Sequence, residues 1–363
     1  MRKPLKTIPL LPQFKDFISK TRKGKRLTKD GRQLSLSSIE NYESVYKLLL
    51  KYEEFTGQII EIPVISSTTQ RLFITAKNYW EKFYKNFSAW LYQRGYIDNY
   101  VGFQFKTLRT FFNYLYNEKH LNIGQFYKNF YVRKEEIPVI VLNQDQLNLL
   151  LVDENFYKGL PEHLKVTRDI LVFGCTVGLR YSDLIDLTIR NIEKTSGAIY
   201  IIKESKKTEI STRIKLPPYA FDILHLYWKK QKGLFPVISK AQFNKNIKSL
   251  GELAGWTWEV GKERRRNSQK KLIKTPNGSN YRFCDLLSSH IMRKTAITTL
   301  LMNGVPEHMV RKISGHTSGS KEFFRYVKYS QSFVDVETDK AFEKLVNNRV
   351  AMDNNITLTK AVS

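Results

Sequence analysis

A chain of 363 residues with 42% hydrophobic and 13% aromatic content can bury a substantial core, which excludes global disorder and leaves room for two domains. The formal net charge of +26 calls for a polyanionic partner, and it is not a tail effect: residues 1–130 carry 22 Lys+Arg against 10 Asp+Glu, the rest 38 against 24. The two cysteines, Cys175 and Cys284, have no CxxC or other metal spacing, which argues against a disulfide scaffold or zinc module and suits a reducing cytoplasm.

In chain order, Met1–Phe14 (MRKPLKTIPLLPQF) is basic, but its apolar stretch is too short and too interrupted for a signal peptide, and no apolar run reaches membrane-spanning length. The basic, Gly-containing stretch Lys20–Arg32 reads as a loop, either a solvated linker or a DNA contact. Ser37 followed by Glu40 predicts a capping box, opening a helix whose Ile39, Tyr42, Tyr46, Leu49 and Leu50 share a face. A second helix is expected over Tyr79–Gly95, closed by its glycine, and a third over Phe103–His120. The aromatic stripe of the third belongs to a core, with Lys106 and Arg109 interleaved on the other side. At Tyr131–Leu142 (YVRKEEIPVIVL) the composition turns charged and then extended around Pro138. The expected division is a helical DNA-binding domain at 1–133, a linker at 134–142, a second domain at 143–347 and a mobile tail at 348–363. Within the second domain, Ile199–Leu216 predicts a hairpin around a polar Glu204–Glu209 turn. Gly261–Gly278 is strongly basic and predicts either another hairpin or a loop that orders on DNA. The fold class expected is mainly α with a small β-sheet and hairpins.

Five distant segments each offer groups suited to a phosphodiester. Arg180 follows Gly178 just before a helix that Ser182 can cap, and a structural pairing with Asp183 or Asp186 is the plain alternative. Lys206 and Lys207 sit in the hairpin turn. His290 and Arg293 lie three apart at the mouth of an apolar helix, Ser288–Leu301, where they share a face. His316 directly follows Gly315 at a helix end. Tyr326 and Tyr329 come last, in a chain with 20 tyrosines. Two guanidiniums can hold the equatorial oxygens of a phosphoryl transition state bidentately, and Arg180 and Arg293 are the candidate pair. A phenol has a pKa of about 10, so a tyrosine nucleophile needs nearby cations and a proton acceptor, a role open to His290. No carboxylate cluster has metal spacing, so neither Mg²⁺ nor any other cofactor is expected.

The ordered set Thr176–Arg180 (TVGLR), Lys207–Thr208, His290–Arg293 (HIMR), Ile313–His316 (ISGH) and Tyr326 resembles the catalytic domain of the tyrosine recombinases, the phage-integrase family, over roughly Gln144–Leu345. The helical first third is similar to that family's SAM-like core-binding domain. The resemblance implies a two-domain C-shaped clamp on double-stranded DNA and a site-specific recombinase or integrase acting through a covalent 3′-phosphotyrosine. It also implies a homotetramer on paired recombination sites, in a cytoplasmic, nucleoid-associated protein of the kind carried by mobile elements. By the same resemblance Lys207 is the general acid, with Lys206 second, and His316 holds a nonbridging oxygen. Tyr326 is the nucleophile, with Tyr329 as competitor, since His316 to Tyr326 spans ten positions where many members use nine. Ser330–Val346 carries Val334, Ala341, Phe342 and Leu345 near one face, for packing on its own domain or on a neighbouring protomer. No separate arm-binding domain is visible ahead of the first third, which disfavours an arm-dependent integrase. The alternatives are type IB topoisomerase-like relaxation, a non-catalytic DNA-binding regulator and, more weakly, RNA binding, for which no RRM, KH or double-stranded-RNA motif is visible. Target sequence, accessory proteins and the choice among integration, excision, transposition, inversion and dimer resolution stay open.

Overall fold

The computed structural model describes residues 5–28, 30–65, 70–206, 209–227 and 233–331, together with 335, 338, 339 and 342. The chain divides into two compact units, one of residues 1–137 with 262–273 and one of 138–261 with 274–363.

The first unit opens with β1 (Lys6–Pro9), which leads directly into α1 (Leu10–Arg22). Next come α2 (Leu36–Thr56) and β2 (Glu61–Val64), which pairs antiparallel with β1, then α3 (Gln70–Gln93) and α4 (Asp98–Asn117). The aromatic stripes meet inside: Phe14, Phe17, Trp80, Phe87, Phe105, Phe111 and Phe112 are fully buried. Trp80 stands edge-on to Phe112 and Phe14 leans on Phe111, so the rings of α1, α3 and α4 interlock. Lys106 is exposed on α4 and Arg109 half-buried, as their interleaving predicted. The cap of α2 differs from expectation. Ser35, not Ser37, accepts from the Ser38 amide (3.3 Å), because the helix starts at Leu36 and Ser37 already lies within it. The β1–β2 pairing escaped the pattern because each strand has only four residues.

The second unit begins with α5 (Gln144–Val152), closed at its start by an Asn143–Gln146 capping box, and α6 (Glu154–Gly159). The apolar helix α7 (Glu162–Val177) follows, with the single turn α8 (Tyr181–Ile185) behind it. Then β3 (Ile192–Thr195), β4 (Ala198–Glu204) and β5 (Ser211–Lys215) form one antiparallel sheet. The predicted hairpin is its β4–β5 half; β3 adds an edge strand through the turn at Ser196–Gly197. After α9 (Pro218–Tyr227) and α10 (Lys240–Leu253) come four short strands: β6 (Glu259–Val260), β7 (Glu263–Arg266), β8 (Gln269–Leu272) and β9 (Tyr281–Arg282). Strand β6 pairs with β9, and β7 with β8. The chain then enters α11 (His290–Met302) and α12 (Glu307–Ser314), and is helical again over 321–331.

The basic stretch within 261–278 is thus a hairpin, and 262–273 groups with the first unit, although its sequence position put it inside the second domain. The expected tail, 348–363, and Val334, Ala341 and Leu345 of the segment before it lie outside the described residues. Among the described residues no helix is long and apolar enough to cross a membrane.

Helices α7 and α11 cross closely at the centre of the second unit. A methyl group on Gly174 of α7 would sit 2.3 Å from Met292 Sδ on α11, so only glycine permits the approach. Gly174→Ala should therefore cost about 1–3 kcal/mol of stability through overpacking. Urea unfolding of Gly174→Ala, Met292→Ala and the double variant should give a favourable coupling in the double; additive effects would mean the helices are not packed as described.

Candidate active site

The candidate residues are held at helix ends. Helix α7 stops at Val177 because Gly178 takes a left-handed conformation (φ 66°), which turns the chain and delivers Arg180 to the start of α8. Arg180 itself occupies the cap position of α8; Ser182, expected to cap it, lies one turn-position inside. Helix α12 ends in the same way at Gly315 (φ 60°), where a Cβ would also crowd Thr212 of β5 at 3.2 Å, and the next residue is His316. His290 and Arg293 lie in the first turn of α11.

Arg293 is the buried member, 3% exposed. Its Nη1 donates to the Gly178 carbonyl (3.0 Å), one of the carbonyls that the end of α7 leaves without a helical partner, and its Nη2 lies 3.2–3.3 Å from the ring nitrogens of His316. Burial and the like charge of Arg180 pull its pKa down to about 10, so it stays a cation at neutral pH. Arg180 Nη1 donates to Ser205 Oγ (2.7 Å), and its guanidinium lies 4.0 Å from the buried Asp183 carboxylate. Asp183 accepts in turn from Ser205 Oγ and from the Lys206 amide, both at 3.3 Å. The pairing of Arg180 with Asp183 therefore exists, but it also ties the base of the β4–β5 turn to Arg180. Lys206 forms an ion pair with Asp186, which raises its pKa. Lys207 and Thr208 lie outside the described residues.

His316 is tied at both nitrogens. The Ser314 hydroxyl donates to the Val310 carbonyl (2.6 Å), so it accepts from His316 Nδ1–H (2.9 Å), and Nε2 is left to accept from Arg293. Burial, then Arg293 and Arg180, push the His316 pKa down to about 3. Burial first, then Lys294, Arg293 and Lys240, pull the His290 pKa down to about 4. Both imidazoles are neutral at pH 7.

Tyr326, on the last described helix, is 4% exposed, and its ring stands edge-to-face with His316 at 6.1 Å between centroids. Burial raises its pKa, and Arg293 is the largest influence the other way. Tyr329 is half-buried, and burial raises its pKa. Arg180, Lys206, Lys240, Ser289 and His290 line a cleft of about 500 Å³ beside this cluster. Ser205, Ser314 and Lys240 were missed as positions of interest. Ser314 stood inside the ISGH stretch; the other two carry no signal in sequence, since folding alone brings them to the site. Among the described residues no three His, Cys, Asp or Glu side chains gather as a metal ligand set.

Comparison with known proteins adds a family. The model of the phage integrase family matches residues 141–332. A protein of Caldanaerobacter subterraneus subsp. tengcongensis, named as an inferred tyrosine recombinase, is 23% identical over 231 residues, covering 64% of this chain and 72% of that one. Among solved structures, XerH site-specific recombinase bound to palindromic difH substrate superposes with a TM-score of 0.58 at 14% identity, covering 93% of this chain and 99% of that one. A lambda integrase tetramer bound to a Holliday junction gives 0.56 at 14%, covering 86% and 79%. The mainly helical architecture with small antiparallel sheets is the fold of these recombinases.

The depressed histidines set a pH dependence. An unfolded histidine takes up its proton near pH 6.5, whereas the folded ones resist until about 4 and 3, so the unfolded chain binds more protons in between and stability falls as pH drops from 6.5. Replacing both by Asn should flatten this acid loss between pH 6.5 and 4, read from urea midpoints; an unchanged pH profile would mean the rings are already solvated.

Proposed function

Because the chain belongs to the phage integrase family, we propose that it is a site-specific DNA recombinase that cuts and rejoins double-stranded DNA through a covalent 3′-phosphotyrosine. The observation that carries this reading is the gathering of Arg180, Arg293, His316 and Tyr326 from four separate segments around one buried guanidinium. A DNA-binding regulator has no use for a tyrosine set against that cluster.

In the proposed reaction Arg180 and Arg293 grip the nonbridging oxygens, and the Tyr326 oxygen attacks phosphorus. The bond from tyrosine to the 3′ phosphate forms as the bond to the 5′ oxygen breaks. That oxygen leaves as a hydroxyl, with Lys207 assigned as the proton donor. The phenol proton passes to a neutral imidazole. His290 is the assigned acceptor, and His316 is assigned to a nonbridging oxygen. Since one phosphoester replaces another, a 5′-hydroxyl of the partner strand can reverse the step, and no nucleotide hydrolysis is required. The first unit is proposed as the SAM-like core-binding domain. Action as a homotetramer on paired sites, within the nucleoid and in the service of a mobile element, completes the proposal.

A pool of nicked suicide duplexes of randomised sequence should trap protein on DNA. Tyr326→Phe should abolish the adduct while DNA binding persists, and Tyr329→Phe should keep it; the reverse pattern would move the nucleophile to Tyr329. Arg180→Lys keeps the charge but loses the planar fork, and should slow single-turnover cleavage about 10²–10³-fold. Relaxation of supercoiled plasmid without strand exchange between sites would instead favour a topoisomerase.

A further inference from the structure

The β7–β8 hairpin has no place in that chemistry, yet it is the most cationic ordered element in the chain. Between 262 and 273 it carries Lys262, Arg264, Arg265, Arg266, Lys270 and Lys271 against the single carboxylate of Glu263. Its register sets Arg264 directly opposite Lys271 and Arg265 opposite Lys270. Two like-charged cross-strand pairs in succession are unfavourable in a free ribbon. Glu263 answers one of these cations, lying 3.5 Å from Lys270, and Arg264 finds only a backbone carbonyl, its own neighbour's (2.8 Å). A two-stranded ribbon of this composition is poorly designed to stand alone and well designed to meet a polyanion.

The hairpin is also held rigidly. Its two-residue turn places both Asn267 (φ 50°) and Ser268 (φ 68°) in the left-handed region, the geometry that matches the twist of paired strands, and Ser268 is a costly residue there. Interactions inside the first unit compensate. The Ser268 amide donates to Asp98 at the start of α4 (3.0 Å), and the Arg265 amide donates to Glu135 (2.5 Å). Arg133 donates to Asn267 Oδ1 and to Ser268 Oγ, both at 3.0 Å. These bonds engage β7 and the turn. Strand β8 is the free one, exposed at all four residues, with Lys270 and Lys271 adjacent and therefore on opposite faces.

We propose that this ribbon is a DNA-backbone contact, in which Arg265, Lys270 and Lys271 bind successive phosphates of the duplex. The proposal deepens the recombinase reading and rests on it for the choice of DNA as the polyanion. Alternating faces let neighbouring lysines reach phosphates on two sides of the strand, and the turn bonds mean that little ordering cost remains at binding. Such contacts are independent of base sequence. The ribbon would add affinity and register wherever the recombination site lies.

The test uses the full chain and a short duplex of arbitrary sequence. Each phosphate contact contributes about 0.9 to the slope of log affinity against log salt, so Arg265→Gln, Lys270→Gln and Lys271→Gln together should flatten that slope by roughly 2–3. The hydroxyl-radical footprint should shorten at one edge only. All three side chains are exposed, so the far-ultraviolet circular dichroism and urea midpoint should hold. An unchanged slope and footprint would overturn the proposal, and so would an unchanged slope accompanied by altered self-association, which would assign the ribbon to a second copy of the chain. Trapping on the nicked pool is read with the parent chain alone. An absent adduct in the parent would sink the recombinase chemistry, whereas the slope, which needs no cleavage, judges the ribbon by itself.

Discussion

A cation taken out of water must be compensated, and the buried guanidinium of Arg293 is where the second unit meets that demand. It does so with a backbone carbonyl from the end of one helix and the imidazole that follows the end of another. Those two bonds oblige α7, α11 and α12 to finish or begin at one place. Breaking either would leave a buried charge short of partners, so the arrangement of the cluster is enforced by the same energetics that keep the unit folded. Burial first, and then the nearby Arg180, lower the pKa of Arg293. An arriving phosphate diester would relieve that repulsion, and the site is in this sense prepared for an anion before one is present.

The surrounding groups follow the same logic. Burial, and then the surrounding cations, keep both histidines neutral at pH 7. Burial opposes ionisation of Tyr326, and Arg293 works against that opposition. Ser205 and Asp183 link Arg180 to the base of the turn that carries the candidate general acid. One guanidinium is therefore fixed by backbone at a helix end, and the other by a short polar chain to the β4–β5 turn. Stability and pre-organisation for chemistry are two readings of one set of bonds.

Much of this was legible along the chain. Helices α2, α3 and α4 of the first unit, the β4–β5 hairpin and the change of character at 131–142 follow from periodicity and turn chemistry, which are local, whereas α1 was not anticipated. Arg180, His290, Arg293, His316 and Tyr326 were legible as an ordered set through its resemblance to the tyrosine recombinases. The misses have local causes as well. A run of serines offers several caps of nearly equal merit, and only the packing of α2 selects Ser35. Four-residue strands such as β1 and β2 are too short to show alternation.

From the sequence alone came the expectation of a polyanionic partner and of a two-part organisation, which composition and charge carry, and the candidate site residues, which the resemblance to the tyrosine recombinases carries. Only the tertiary structure decided which cation is buried, which tyrosine faces the imidazole, and that a basic stretch inside the second half of the chain packs with the first unit. The physical reason is that these are matters of long-range burial and donor–acceptor pairing. Arg293 meets a carbonyl 115 positions away, and Asp98 meets an amide 170 positions away, through hydrogen bonds that leave no periodic trace in the order of the residues.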